Sequence, residues 1–102
     1  MAIYKNLTTT AIHTLIAKEG ADGGAISKVI ITNVDTLTAQ DVEVYIDDGT
    51  NKYYFIKVVD IPVGASLVLD EGLDFNKAKY SLILRTYNDG GGGAPSLTVI
   101  IK

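Results

Sequence analysis

The chain has 102 residues, enough for one domain that buries a core without staples, and it contains no cysteine, which removes disulfides and thiolate metal sites. Nine Lys and Arg stand against twelve Asp and Glu, a net charge of −3, and the basic residues are scattered singly, which argues against nucleic acid and against anionic lipid as partners. Residues 1–6 (MAIYKN) lack the apolar stretch of a signal peptide, and no run approaches the ~18 apolar residues of a membrane helix, so a soluble protein that folds in a reducing cytoplasm is expected.

Apolar residues fall in short β-branched and aromatic runs with no helix-period stripe, and the expected elements are therefore strands. Residues 8–17 (TTTAIHTLIA) form the first expected strand, ended by the glycines of residues 18–24. A second follows at 26–32 (ISKVIIT), then a polar connection over 33–40. Residues 41–47 (DVEVYID) alternate strictly, with Val42, Val44 and Ile46 on one face and Asp41, Glu43 and Tyr45 on the other, the pattern of a strand with one wet face. Asp48-Gly49-Thr50-Asn51 supplies hairpin chemistry, and residues 52–59 (KYYFIKVV) return as the strongest β signal. Residues 61–65 turn again, with φ fixed at Pro62 and free to be positive at Gly64. Short strands are expected at 66–69 and 97–101 and a longer one at 80–87, with a single helical turn over 73–79 and a flexible glycine-rich loop over 88–96. Seven to eight strands with frequent turn signals and no room for helical crossovers predict an all-β domain spanning residues 1–102, a single antiparallel β-sandwich of jelly-roll or immunoglobulin-like type.

Residues that carry chemistry are sparse. His13 is the lone histidine and lies between Ile12 and Thr14 in an expected strand, where a packing or hydrogen-bonding role outweighs catalysis. No GxSxG segment supports a hydrolase. Asp47-Asp48-Gly49-Thr50-Asn51 lacks the alternating acids and terminal glutamate of a calcium loop and reads as a turn. Asp70, Glu71 and Asp74 read as a solvated loop, and the Asn6-Leu7-Thr8 triplet as a chance match to a glycosylation acceptor. The glycines at 90–93 are followed by Ala94-Pro95-Ser96 instead of the Lys and Ser/Thr of a phosphate loop. The expectation is a protein with no enzymatic activity, no catalytic residue, no metal and no cofactor.

A positive signal lies in strands with little polar face. Alternation over 52–59 sets Tyr53, Phe55 and Val59 against Tyr54, Ile56 and Val58; residues 80–87 set Leu82 and Leu84 against Ile83 and Tyr87; residues 97–101 set Leu97, Val99 and Ile101 against Ile100. A sandwich buries one face of each sheet, so apolar outer faces call for a cover. A curled sheet, the N-terminal segment or long loops would provide it, and so would another subunit. Tyr53, Tyr54, Phe55 and Tyr87 are the candidate interface residues, and Tyr53, Tyr54 or Tyr87 would equally stack on sugar rings in a glycan- or receptor-binding module.

Residues 2–10 (AIYKNLTTT) with His13-Thr14-Leu15-Ile16, residues 26–33 (ISKVIITN), residues 61–70 (IPVGASLVLD) and residues 97–102 (LTVIIK) resemble small virion proteins of tailed phages, especially marine and cyanobacterial ones. The third of these looks like the I-P-x-G-x-x-L-V-L-D stretch of those proteins. The resemblance covers nearly the whole chain through strand-and-turn patterns. It implies a β-sandwich made in the bacterial cytoplasm and displayed on the virion as a capsid decoration (cement) protein, or as a tail or baseplate accessory. The implied partners are the major capsid protein or other virion proteins, with homo-oligomers expected.

Overall fold

The computed structural model describes residues 2–18, 26–87 and 95–102, and they form eight strands. In chain order these are β1 (Ile3–Leu7), β2 (Ile12–Ile16), β3 (Val29–Asn33), β4 (Gln40–Asp47), β5 (Lys52–Ile61), β6 (Ser66–Leu69), β7 (Ser81–Tyr87) and β8 (Leu97–Ile101). Two antiparallel four-stranded sheets result, sheet A in the order β1-β8-β3-β6 and sheet B in the order β2-β7-β4-β5. The first strand pairs with the last, the second with the seventh, the third with the sixth and the fourth with the fifth, so the chain is one long hairpin rolled into two layers. That is the jelly-roll arrangement, and of the two sandwich types expected it is the one found.

The core lies between the sheets. Val29, Ile31, Leu97, Val99 and Ile101 of sheet A meet Ile16, Val42, Val44, Leu82 and Leu84 of sheet B, all buried. Leu73, from the long β6–β7 connection, plugs one end, and Phe75 beside it tilts against Phe55 with ring centres 6.4 Å apart. At the other end the buried Asn33 donates from Nδ2 to the carbonyls of Thr38 and Ile61, both at 3.0 Å, and so ties the β3–β4 connection to the end of β5.

Several boundaries differ from the sequence expectation. Residues 3–7 form an additional strand, and the strand expected from residue 8 starts at Ile12, because residues 8–11 carry the chain from sheet A to sheet B. The helical turn expected over 73–79 does not span that stretch: residues 73–76 are irregular, and only a turn at 76–80 forms, closed by the Lys79 and Tyr80 N–H groups donating to the Asn76 carbonyl. The glycine-rich break at 18–24 and the loop at 88–96 fall largely outside the described residues.

The strict alternation expected along 52–59 is broken twice. Between Val42↔Val59 and Val44↔Ile56 the register gives β5 one extra residue, and it gives another between Val44↔Ile56 and Tyr45↔Tyr54. These bulges turn Phe55 and Ile56 both toward the core, and they set Lys57 and Val58 together opposite Glu43. A bulge between Thr14 and Ile16 likewise lets the consecutive Leu15 and Ile16 both be buried. Runs of adjacent apolar residues that suggested two greasy faces are thus, in part, one face doubled.

Candidate functional site

The two outer faces of the sandwich are built differently. On sheet B, the face of β4 expected to be wet is buried: Glu43 is 1% exposed and Tyr45 2%. The cause is the central position of β4, flanked by β5 and β7, whose long side chains fold over it. Lys57 Nζ lies 3.2 Å from Glu43 Oε2, Arg85 Nη1 lies 3.9 Å from Oε1, and the Tyr87 hydroxyl donates to the same carboxylate. Burial alone pushes the Glu43 carboxyl up, but the hydrogen bonds from Tyr87 and Lys57 and the charges of Lys57 and Arg85 outweigh it and hold it below the ordinary carboxylate range. The hydrogen bond to Glu43 raises both the Lys57 ammonium and the Tyr87 phenol.

The cations also cap the rings. Lys57 Nζ sits 4.3 Å from the centre of Tyr54, and the Arg85 guanidinium 4.5 Å from that of Tyr87. Tyr54 packs on Tyr45 with centres 5.0 Å apart. Around Glu43 sheet B therefore covers its own outer face, and its two candidate tyrosines are engaged within the chain, while Ile12, opposite Arg85 on the same face, stays exposed.

The four candidate interface residues do not share one surface. Tyr54 and Tyr87 meet around the Glu43 cluster on the outer face. Tyr53 pairs with the inward strand position Ile46 and is half-exposed at the sheet edge, edge-on to Tyr80 at 5.9 Å. Phe55 packs on the core. His13 Nε2–H donates to the Thr9 carbonyl at 3.0 Å. The Asp47 and Asp48 carboxylates accept the N–H groups of Gly49, Thr50 and Asn51 at 2.6–2.8 Å, so they serve the hairpin turn.

On sheet A the outer face is organised in rows across the strands. Tyr4, Ile100, Ile30 and Val68 are in register across β1, β8, β3 and β6 and form a continuous apolar row. Tyr4 is 71% exposed and Val68 48%, with Ile30 and Ile100 half-buried between them. The next row is polar: Asn6, Thr98, Thr32 and Ser66, tied by Thr98 Oγ1 donating to Asn6 Oδ1 at 3.1 Å and by the Thr32 and Ser66 hydroxyls 2.7 Å apart. Comparison with protein-family models and with curated proteins finds no match to this chain. The outer face of sheet A thus presents an apolar stripe across a four-stranded sheet.

Of this row the sequence indicated Ile100 alone, as the odd residue out in 97–101. Tyr4, Ile30 and Val68 carry no individual signal; what unites them is register between strands as far apart in sequence as residues 4 and 100. Each of β1, β3 and β6 contributes one outward apolar residue, ordinary by itself.

Proposed function

We propose that this chain is a non-enzymatic structural protein of a phage virion, a capsid decoration protein that packs on major capsid subunits through the outer face of sheet A. The fold by itself leaves function open, since jelly rolls serve in viral shells and in lectins alike. The observation that carries the reading is the apolar row Tyr4–Ile100–Ile30–Val68, which crosses all four strands on a face that no described residue covers. The sequence resemblance to small virion proteins supports the same reading. A cement protein stabilises a shell by binding the assembled state only, which requires a flat, stiff, partly apolar surface. The test is copy number on purified particles: the chain co-purifies at a stoichiometry set by the symmetry of the shell. Recovery of the chain solely as free protein in the lysate would refute the proposal.

A glycan-binding role is the second reading, and one observation favours it. Tyr53 stands 53% exposed, supported edge-on by Tyr80, while among the described residues no cation–ring contact is found at it, in contrast to Tyr54 and Tyr87. A glycan array would then show binding that is lost in Tyr53→Ala and kept in Tyr54→Ala. A silent array removes this reading.

A further inference from the structure

Strands β1, β3, β5 and β7 finish at the same end of the sandwich, where residues 34–39 carry the chain from sheet A to sheet B. That connection is built around one buried side chain. Asn33, fully buried, accepts the Asp35 N–H on Oδ1 at 3.0 Å, and Asp35 Oδ1 in turn accepts the Leu37 N–H at 3.1 Å. The Asn33 Nδ2 group donates to the Thr38 carbonyl, so the backbone is tied on both sides of Leu37, whose side chain is 89% exposed. The Gly64 N–H donates to the Asn33 carbonyl at 2.9 Å and brings the β5–β6 turn alongside, where Val63, like Val34, is exposed. A single exposed apolar residue is ordinary. Three on two loops locked together through one buried asparagine make a preorganised knob, which loses little freedom when a partner covers it. The polar row Asn6, Thr98, Thr32 and Ser66 separates this knob from the apolar row of sheet A. Its charge is of one sign: residues 32–41 and 60–66 contain Asp35, Asp41 and Asp60 and no Lys or Arg. Lys57 and Arg85, the next cations along sheet B, are turned onto Glu43.

We propose that this knob inserts into an apolar socket with a basic rim on a virion subunit, with Leu37 as the anchor, Val34 and Val63 at the mouth, and Asp35 and Asp60 meeting the rim. This rests on the virion reading above and goes beyond it, since a cement protein must hold two neighbouring subunits and the tip supplies a contact separate from sheet A. Charge complementarity selects the rim. The same acids repel anionic lipid. A second copy is the wrong occupant. Tip against tip sets acids on acids. Tip against the far end meets two kinds of cleft among the described residues. The one with apolar lining, Ile26 and Leu73, is bordered by Asp70, Glu71 and Asp74, which repel an acidic tip. Those around Lys18 pair it with Asp47 or Asp48 and expose nothing apolar larger than Ala78. Neither kind joins an apolar wall to a cationic rim.

The test uses particles made by a phage deleted for the chain's gene, to which purified wild-type chain or variants are added back and pelleted. Wild type is expected to occupy the particles, with binding that weakens as salt rises. Leu37→Ser is expected to bind about tenfold or more weakly while keeping the wild-type unfolding midpoint, because the side chain it shortens stands in water. Asp35→Asn keeps the oxygen that accepts the Leu37 N–H and removes the charge. It is expected to bind about two- to threefold more weakly, with a shallower salt dependence. Val58→Thr, at an exposed apolar position of β5 outside the knob, binds as wild type. Particle binding that ignores Leu37→Ser, or that tightens in Asp35→Asn, overturns this inference and leaves the virion reading standing. Wild type that never occupies particles overturns the virion reading and the inference resting on it. A lowered midpoint in Leu37→Ser would show that the leucine packs within the chain. Self-association in light scattering that Leu37→Ser abolishes would seat a second copy on the knob, and Leu37-dependent pelleting with phosphatidylcholine vesicles would assign it to a bilayer; any of these three results sinks the inference.

Discussion

Glu43 sits under its cations, and the burden of burial is unequal. Its carboxylate is 1% exposed, whereas the Lys57 and Arg85 side chains are 69% and 45% exposed. Removing the acid leaves two cations free to rehydrate; removing the cations strands a buried charge. The double variant Lys57→Met/Arg85→Met is therefore expected to lower the urea midpoint more than Glu43→Gln does, and the reverse order would contradict this account of the cluster. The pH dependence follows from the same asymmetry. The folded Glu43 pKa is depressed, so its contribution is fully present above the unfolded value of about 4.3 and is lost as pH falls through the lower folded value. Acid titration of stability is expected to show a loss below about pH 4.3 that is shallower in Glu43→Gln. Glycine conformation supplies another test at this scale. Gly64 and Gly72 both have positive φ, 77° and 75°, but a Cβ at Gly64 meets nothing within 4 Å while one at Gly72 lies 3.1 Å from Phe55 Cε1. Gly64→Ala is expected to cost about 1 kcal/mol of backbone strain. Gly72→Ala is expected to cost more, roughly 2 kcal/mol, since the Phe55 ring must also give way. Equal losses in denaturant titration would show that the ring yields freely. The sequence located Gly64 at its turn, because Pro-x-Gly chemistry is local, but it read Glu43 as solvent-facing, because the cations that bury it come from β5 and β7.

Edges are where a sheet protein is exposed to unwanted pairing, and each of the four edge strands here is blunted. β5 carries two bulges and β2 one; β6 has four residues. β1 pairs in unbroken register with β8, and what guards it is Lys5, which stands opposite the inward Val99 and so points a charge toward the core side at the rim. The edges thus resist strand addition. Lys5→Val is expected to make β1 an inviting edge and to raise concentration-dependent aggregation, followed by light scattering at neutral pH; unchanged solubility would mean that another feature protects β1. At this scale strand identity was largely legible, because turn chemistry and β-branched runs are local signals. Bulges were not, since an extra residue in β5 shows only against the register of β4. That is why alternation over 52–59 placed Ile56 opposite its actual face and pointed to β5, and not to sheet A, for the open apolar surface.

The nested pairing of the whole molecule dictates the order in which its contacts become cheap to make. The β4–β5 hairpin closes across residues 48–51, where Asp47 and Asp48 already bind the turn's N–H groups, so its loop entropy is small. Once it forms, β3 and β6 are brought within short connections of each other, although 32 residues separate Asn33 from Ser66 along the chain. β2 with β7, and finally β1 with β8, follow by the same shortening. Closing the outermost pair first would instead enclose nearly the entire chain at once. The sandwich should therefore fold slowly, in milliseconds to seconds as non-local β topologies do, from a nucleus around β4 and β5. Kinetics of two variants separates this order from its alternatives. Gly49→Ala strains a turn with φ of 98° and is expected to act chiefly on the folding rate. Leu7→Ala removes a buried side chain of β1 at about 2–5 kcal/mol and is expected to act chiefly on the unfolding rate, since β1 docks after the barrier is crossed. A Leu7→Ala chain that folds proportionately more slowly would place β1 in the nucleus and reverse the order. The outer face of sheet A takes its apolar row from β1, β8, β3 and β6, so it is complete only when the last pair closes. The row consequently belongs to the finished fold, and partly folded chains do not present it.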